Sequence, residues 1–293
     1  ASVGSAVTGY YGQLTLNSNG TYSYVANQSN ADALDSGESA TDVFTFTVSD
    51  GTTTTSSTIT FTVNGANDAP TASDNTVTTT EDNNHTFAAS EFGFTDVDGD
   101  SLDHVTIATL PSTGTLYLSG VAVSAGDQIS AANISNLVFT PAANGNGSPY
   151  DTFTFSVNDG TTDSASNYTM TVNVTAVNDA PTASDNTVTT TEDNNHTFAA
   201  SEFGFTDVDG DSLDHVTIAT LPSTGTLYLS GVAVSAGDQI SAANISNLVF
   251  TPAANGNGSP YDTFTFSVND GTTDSASNYT MTVNVTAVND APT

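Results

Sequence analysis

The chain has 293 residues, 32 of them acidic and four His, with no Lys, Arg or Cys, and a formal charge of −32. Lacking ammonium and guanidinium groups it cannot neutralise phosphates, which excludes a nucleic acid partner and attraction to anionic lipid. Isopeptide staples, Schiff bases, conventional salt bridges and disulfides are excluded as well, so core burial and bound cations are left to oppose the self-repulsion of the carboxylates.

In chain order, residues 1–66 come first. Ala1-Ser2-Val3-Gly4 has neither a basic n-region nor an apolar h-region, and no stretch approaches the roughly 18 apolar residues of a membrane span. No membrane insertion is expected of this segment. About five strands are predicted here, among them Gln13 to Leu16, Thr21 to Val25, and two alternating runs, Val43 to Val48 and Ile59 to Val63. That is few for a complete sandwich, so the unit reads as a partial β domain, truncated or completed by a neighbouring chain.

The rest is a duplication: Ala72 to Pro181 recurs as Ala183 to Pro292 without a substitution. The predicted boundaries are 67–177 and 178–288, with 289–293 opening a further linker. Both cut ends read as those of a longer protein. Within each copy, strands are predicted around Val77, at Thr86-Phe87, Val105 to Ala108, Thr115 to Leu118 and Leu137 to Thr140. Two longer ones follow, where Phe153, Phe155 and Val157, then Tyr168, Met170, Val172 and Val174, alternate with polar residues. Turn formers such as Pro111-Ser112-Thr113-Gly114, Ser119-Gly120 and Asn144-Gly145-Asn146-Gly147 separate them. About seven short strands per unit and no long amphipathic pattern predict an all-β fold, an array of tandem immunoglobulin-like sandwiches. Verbatim repetition suits a protein that spans distance or multiplies weak contacts.

The acidic residues gather in three places in each copy. Glu81 and Asp82 follow the first strand, Asp96, Asp98 and Asp100 alternate in a loop, and Asp159 sits in a late turn; their copies are Glu192, Asp193, Asp207, Asp209, Asp211 and Asp270. The junctions add Asn67 with Asp68 and Asn178 with Asp179, each followed by Ala-Pro. Calcium takes about 6 to 8 hard oxygen ligands, and an alternating Asp loop supplies several at once. The loop is not an EF-hand, because Ser101 and Ile107 stand where that motif needs Gly and Glu. These residues are the predicted Ca2+ ligands, with Glu81 reaching a junction from the domain before it and the Asp loop from the domain after.

Together the Asn-Asp-Ala-Pro junctions, Thr80-Glu81-Asp82, Phe94 to Asp100, Phe139-Thr140-Pro141-Ala142 and Phe153 to Gly160 resemble the cadherin-like tandem repeats of giant bacterial RTX-type surface adhesins. Tyr11 to Leu16 and Asn19 to Tyr22 resemble the later part of a VCBS-type repeat. The resemblance implies a secreted, extracellular protein exported by type I secretion. In that family such domains are extenders that hold distal binding domains away from the cell during attachment and biofilm formation. Its partners would be neighbouring repeats of the same protein, joined through calcium-bridged linkers. The glycine-rich nonapeptides of RTX regions are absent from this segment.

Other chemistry finds less support. A glycosidase would need an aromatic cleft, and there is no Trp. His85 and His104, repeated as His196 and His215, have no HExxH context and read as surface histidines. No Gly-x-Ser-x-Gly elbow occurs. The chain is therefore read as non-enzymatic. Two alternatives stand beside the extender: direct binding of a glycan or protein, with Tyr117 and Tyr150 as exposed contacts, and self-association into an extracellular fibre in which the incomplete first domain accepts a neighbour's strand.

Overall fold

The computed structural model describes residues 3–289. Beyond Asn289, the linker expected at 289–293 lies outside the described residues. The chain divides into two compact units, Ala1–Ala176 and Val177–Thr293. The first holds the N-terminal domain and one repeat, and the second holds the other repeat.

The N-terminal domain has strands β1 (Ala6–Thr8), β2 (Gln13–Leu16) and β3 (Tyr22–Val25) in one antiparallel sheet. After a single helical turn at Ser29–Asp32, the hairpin β4 (Ser39–Ser49) and β5 (Thr54–Asn64) forms a separate two-stranded sheet. Leu14, Phe44 and Val63 are buried between them, and Tyr24 stacks on Phe61 with ring centroids 4.2 Å apart.

The first repeat is a two-sheet sandwich. Its strands are β6 (Asn75–Thr80), β7 (His85–Thr86), β8 (His104–Thr109), β9 (Thr115–Leu118), β10 (Val121–Ala122), β11 (Gln128–Ser130), β12 (Leu137–Thr140), β13 (Gly147–Asn158) and β14 (Tyr168–Thr175). One sheet has the order β11-β8-β13-β14-β6 and the other β10-β9-β12-β7. All pairings are antiparallel except β6 with β14, which run parallel from Asn75 beside Met170 to Thr80 beside Thr175. The second repeat reproduces this order and register. The fold is all-β, as expected.

Alternation along β13 places Phe153, Phe155 and Val157 inward, where they meet Val105 and Ile107 of β8 and Met170 and Val172 of β14. Phe92 and Ile134, fully buried, come from 3-10 turns at Ala89–Phe92 and Ala131–Asn136. Neither turn, nor β10 or β11, is among the elements predicted from the sequence. Segments of two to six residues are too short to show a period, and β11 contributes only Ile129 to the core.

The inward parity of β13 also carries Asp151, an acid that is not among the predicted site residues. It is 8% exposed. Its carboxylate accepts the N–H groups of Ser112, Thr113 and Gly114 in the β8–β9 turn and that of Thr152. The same pattern occurs at Asp262 with Ser223, Thr224 and Gly225, and at Asp42 with Tyr10, Tyr11 and Gly12. Each repeat thus ties the turn between β8 and β9, or its counterpart, to its central strand through one carboxylate, and the N-terminal domain ties its β1–β2 turn to β4 in the same way. Asp42 also accepts the Tyr24 hydroxyl at 3.0 Å. Burial first, then this bond and the Asp42 charge, push the Tyr24 phenol up to about 12.

Desolvation raises the Asp151 pKa, but the N–H bonds from Thr113, Ser112, Gly114 and Thr152 outweigh it, leaving the carboxyl below its usual range. A group depressed in the folded state contributes fully above its unfolded pKa of about 3.9 and loses that contribution as pH falls through the folded value. Asp151→Ala should cost about 2–4 kcal/mol, because three turn N–H groups lose their acceptor. In chemical denaturation, the stability difference between wild type and Asp151→Asn should stay level from about pH 7 to pH 5 and shrink below about pH 4.

Candidate metal centre at the start of each repeat

In the first repeat the Asp96 loop folds around its own first residue. Asp96 Oδ1 accepts the N–H groups of Asp98, Gly99 and Asp100 at 2.8, 3.1 and 3.2 Å. Gly99 takes φ +89°, a conformation that L side chains rarely adopt. The fold leaves Asp96 Oδ2 buried without a hydrogen-bond partner. Asp98 Oδ2 accepts the N–H of Asp68 at 2.7 Å, while Asp98 Oδ1 is buried and likewise without one.

A third carboxylate arrives from the N-terminal domain. Asp35, Asp98 and Asp100 each offer an oxygen, and these oxygens all lie within 4.8 Å of one another. No cationic side chain exists to sit among them. Desolvation, followed by the charges of Asp35, Asp96, Asp159 and Asp98, raises the Asp100 carboxyl above its usual range.

Asp35 was not among the predicted ligands. It reaches the junction because its loop clamps the linker: Gly65 N–H donates to Glu38 O and Ala66 N–H to Leu34 O, at 3.0 and 3.1 Å. A Cβ on Gly65 would collide with the carbonyl oxygens of Leu34 and Asp35. The signal in the sequence was Leu34-Asp35-Ser36-Gly37, a turn before a strand, opposite a glycine at the linker.

Asp159 has a different role. Its Oδ1 accepts Thr161 and Thr162 N–H, both at 2.6 Å, and its Oδ2 accepts the Asn67 side-chain amide at 3.0 Å. Desolvation raises its pKa, but the bonds from Thr162, Asn67 and Thr161 bring it below the usual range. An ionised Asp159 therefore holds Asn67, and with it the junction, against the repeat.

Glu81 and Asp82 lie apart from this group within their own repeat. They follow the far end of β6, where Glu81 N–H donates to Thr175 O and Glu81 Oε2 accepts the Asn146 amide at 3.1 Å. Asp82, in the left-handed region at φ +57°, accepts Asn144 N–H at 3.2 Å. Both tie the β13 approach to the end of β6.

In the second unit, the oxygens of Asp207, Asp209 and Asp211 lie within 4.8 Å of one another. Asp207 Oδ1 accepts the N–H groups of Asp209 and Asp211, and Asp207 Oδ2 is buried without a hydrogen-bond partner. Asp179 N–H donates to Asp209 Oδ2 at 2.7 Å, and the Asn178 amide donates to Asp270 Oδ2 at 3.0 Å. Desolvation raises the Asp270 pKa, but Asn178 and the N–H groups of Thr273 and Thr272 drive the carboxyl far below its ordinary range. Glu192 accepts the Asn257 amide and Val288 N–H, and Asp193 accepts Asn255 N–H.

The histidines are half-buried rather than on the surface. His85 Nε2 lies 3.2 Å from Glu91, and His104 Nδ1 lies 2.8 Å from Asp103. Among the described residues no group of three clustered metal-ligating side chains includes a histidine. Tyr150 is not an exposed contact either. It packs against the core, and its hydroxyl accepts Ala142 N–H at 3.0 Å. Tyr117, half-buried on β9, pairs across to Val138 and Ala122.

Residues 67–175 and 178–286 each match the family described as bacterial Ig domain. The chain belongs to that family. No curated protein matches it. Among solved structures it is similar to extracellular cadherin domains 1–4 of protocadherin gamma B7, at 10% identity and TM-score 0.51 over 97% of this chain and 66% of that one. A mouse clustered protocadherin fragment, EC1-3, gives 10% identity and TM-score 0.43 over 98% of this chain and 88% of that one. An endo-fucoidan hydrolase of glycoside hydrolase family 107 gives 16% identity and TM-score 0.25 over 97% of this chain, which spans 39% of that one. At such identities the protocadherin likeness concerns the fold alone, and this bacterial Ig protein is a tandem immunoglobulin-like and cadherin-like array. Among its described residues no helix is long and apolar enough to cross a membrane.

If the carboxylates of Asp35 and Asp100 share one field, Asp35→Asn should lower the Asp100 pKa toward its ordinary value. Carboxyl carbon NMR titration in metal-free buffer would show it, with Asp151 as an unmoved internal control.

Proposed function

We propose that this bacterial Ig array is a calcium-stabilised spacer of a large extracellular adhesin, holding distal binding domains away from the cell for attachment and biofilm formation. The reading is non-enzymatic. One observation carries it: Asp35, Asp98 and Asp100 converge from two domains within 4.8 Å, in a chain without Lys or Arg. Asp98 Oδ1, within that group, and Asp96 Oδ2, in the same loop, are buried without hydrogen-bond partners.

Hard oxygen donors in this number suit calcium better than zinc, which prefers nitrogen and sulfur and a four-coordinate shell. Asp35, Asp96, Asp98 and Asp100 would hold the ion, with Asp159 positioning Asn67 at the rim. Calcium would neutralise the crowded carboxylates and join the N-terminal domain to the first repeat. Asp207, Asp209 and Asp211 would hold an ion of the same kind at the start of the second repeat. Glu81 and Glu192, at the far ends of their repeats, are proposed as further ligands. Secretion by the type I route and a VCBS-type first domain belong to the same reading and rest on the sequence resemblance.

Extracellular modules bind calcium at roughly 0.1–1 mM. Small-angle scattering in millimolar calcium should show a stiff, extended particle, and chelator should broaden it into a flexible one, with magnesium giving little effect. Asp98→Asn combined with Asp100→Asn should weaken calcium at the first site at least tenfold in calorimetry. Scattering that ignores calcium, together with no heat of binding, would sink the reading.

A further inference from the structure

His104 opens β8 on the outer face of the five-stranded sheet, opposite Asn158 of β13 and Ser130 of β11. Its side chain is 14% exposed. On one side of the ring, Nδ1 lies 2.8 Å from Asp103 Oδ2. An ionised carboxylate can only accept there, so Nδ1 carries the proton and Nε2 of the neutral ring keeps its lone pair. Asp103 is itself pinned through its backbone: its N–H donates to Asn158 O and its carbonyl accepts Ala131 N–H, both at 2.8 Å.

On the other side of the ring, Nε2 is buried and has no hydrogen-bond partner. It faces Asp163, whose Oδ1 is 3.9 Å away and accepts the Asn158 amide at 2.8 Å. A lone pair buried against a carboxylate is unfavourable, and a cation between the two would reverse the sign of that interaction. The second repeat has the same arrangement in His215, Asp214, Asp274 and Asn269, with Nε2 again buried and without a hydrogen-bond partner. His85 supplies the contrast, because its Nε2 is already paired with Glu91 Oε2 at 3.2 Å. We propose that each repeat carries a second cation site, for zinc, held by His104 Nε2 and the Asp163 carboxylate in one copy and by His215 and Asp274 in the other, with water completing the shell.

The donors choose the ion. Calcium takes hard oxygens, whereas zinc takes imidazole nitrogen and carboxylate oxygen together. With bonds of about 2.0–2.2 Å, two ligands of a tetrahedral zinc stand about 3.4 Å apart. The observed 3.9 Å therefore asks Asp163 to close by roughly half an ångström, a small turn for a side chain that is 63% exposed. Asp103 is a positioning residue: it fixes the tautomer and the orientation of the ring, as carboxylates behind metal-bound imidazoles do. The ion would bridge β8 to the turn at 158–163, the turn whose Asp159 holds Asn67. Neither Asp103 nor Asp163 belongs to the carboxylates gathered at the Asp96 loop, so the two sites differ in residues as well as in donor type.

The probe is zinc alone, titrated into the full chain in millimolar calcium, which competes for the all-carboxylate groups. Long-range proton–nitrogen NMR of the imidazoles follows it at about pH 8, above the ordinary imidazole range. Before zinc is added, His104 and His215 should show the Nδ1–H tautomer. Zinc should then move their Nε2 resonances and leave those of His85 and His196 in place. Asp163→Asn with Asp274→Asn should weaken zinc at least tenfold as read from those shifts, and so should Asp103→Ala with Asp214→Ala. His104→Gln with His215→Gln should abolish the corresponding heat in calorimetry. The proposal would be overturned by the Nε2–H tautomer in the zinc-free chain, or by zinc that moves all four histidines alike or none. Zinc binding that is indifferent to the Asp163 and Asp274 pair of substitutions, or heat that survives the loss of His104 and His215, would overturn it as well.

Discussion

Carboxylates without cationic side chains are the constraint on which this structure depends. Elsewhere a buried Asp can turn to Arg or Lys. Here its lone pairs must be met by backbone N–H groups, side-chain amides and hydroxyls, or an ion from solution. The acids accordingly fall into two kinds. Asp42, Asp151 and Asp262 are saturated by turn N–H groups and are structural. Asp35, Asp98 and Asp100 crowd together, and Asp96 Oδ2 and Asp98 Oδ1 are buried without a hydrogen-bond partner.

The central strand of each repeat organises both kinds. β13 carries Asp151, whose carboxylate secures the β8–β9 turn, continues through Phe153, Phe155 and Val157 in the core, and leads into Asp159 just past its end. Asp159 then fixes Asn67 at the junction. One run of residues thus ties the hydrophobic core to the acidic end of the domain, and the Asp loop inherits its position from that packing.

Much of this was legible before any coordinates. The alternation of β13 and β14 gave their inward faces, and Thr115–Leu118 and Leu137–Thr140 coincide with strands read from short apolar runs flanked by turns. The Asp96 loop, elsewhere an ordinary solvated turn, stood out because the chain has no Lys or Arg to pair with its alternating acids. Asp151 was missed although it shares parity with Phe153, since an acid at an inward position is ordinarily taken as the end of the buried run. Asp35 was missed for another reason: its partners lie more than 60 residues away, and only the close approach of Leu34 and Asp35 to Gly65 carries it to the junction. The exposed Val48 belongs with these, because periodicity gives a face and says nothing about which neighbour covers an edge.

The parallel pairing of β6 with β14 has a mechanical consequence. The chain enters each repeat through β6 and leaves through β14, and the two strands are matched at six positions. Tension along the polypeptide would draw β6 backward and β14 forward, loading the whole ladder in shear. Bonds loaded this way share the force and must fail together, whereas a hairpin pulled from its open end unzips one pair at a time. The pairing that sets β6 at the edge of its sheet would thus also be the one that resists such a load.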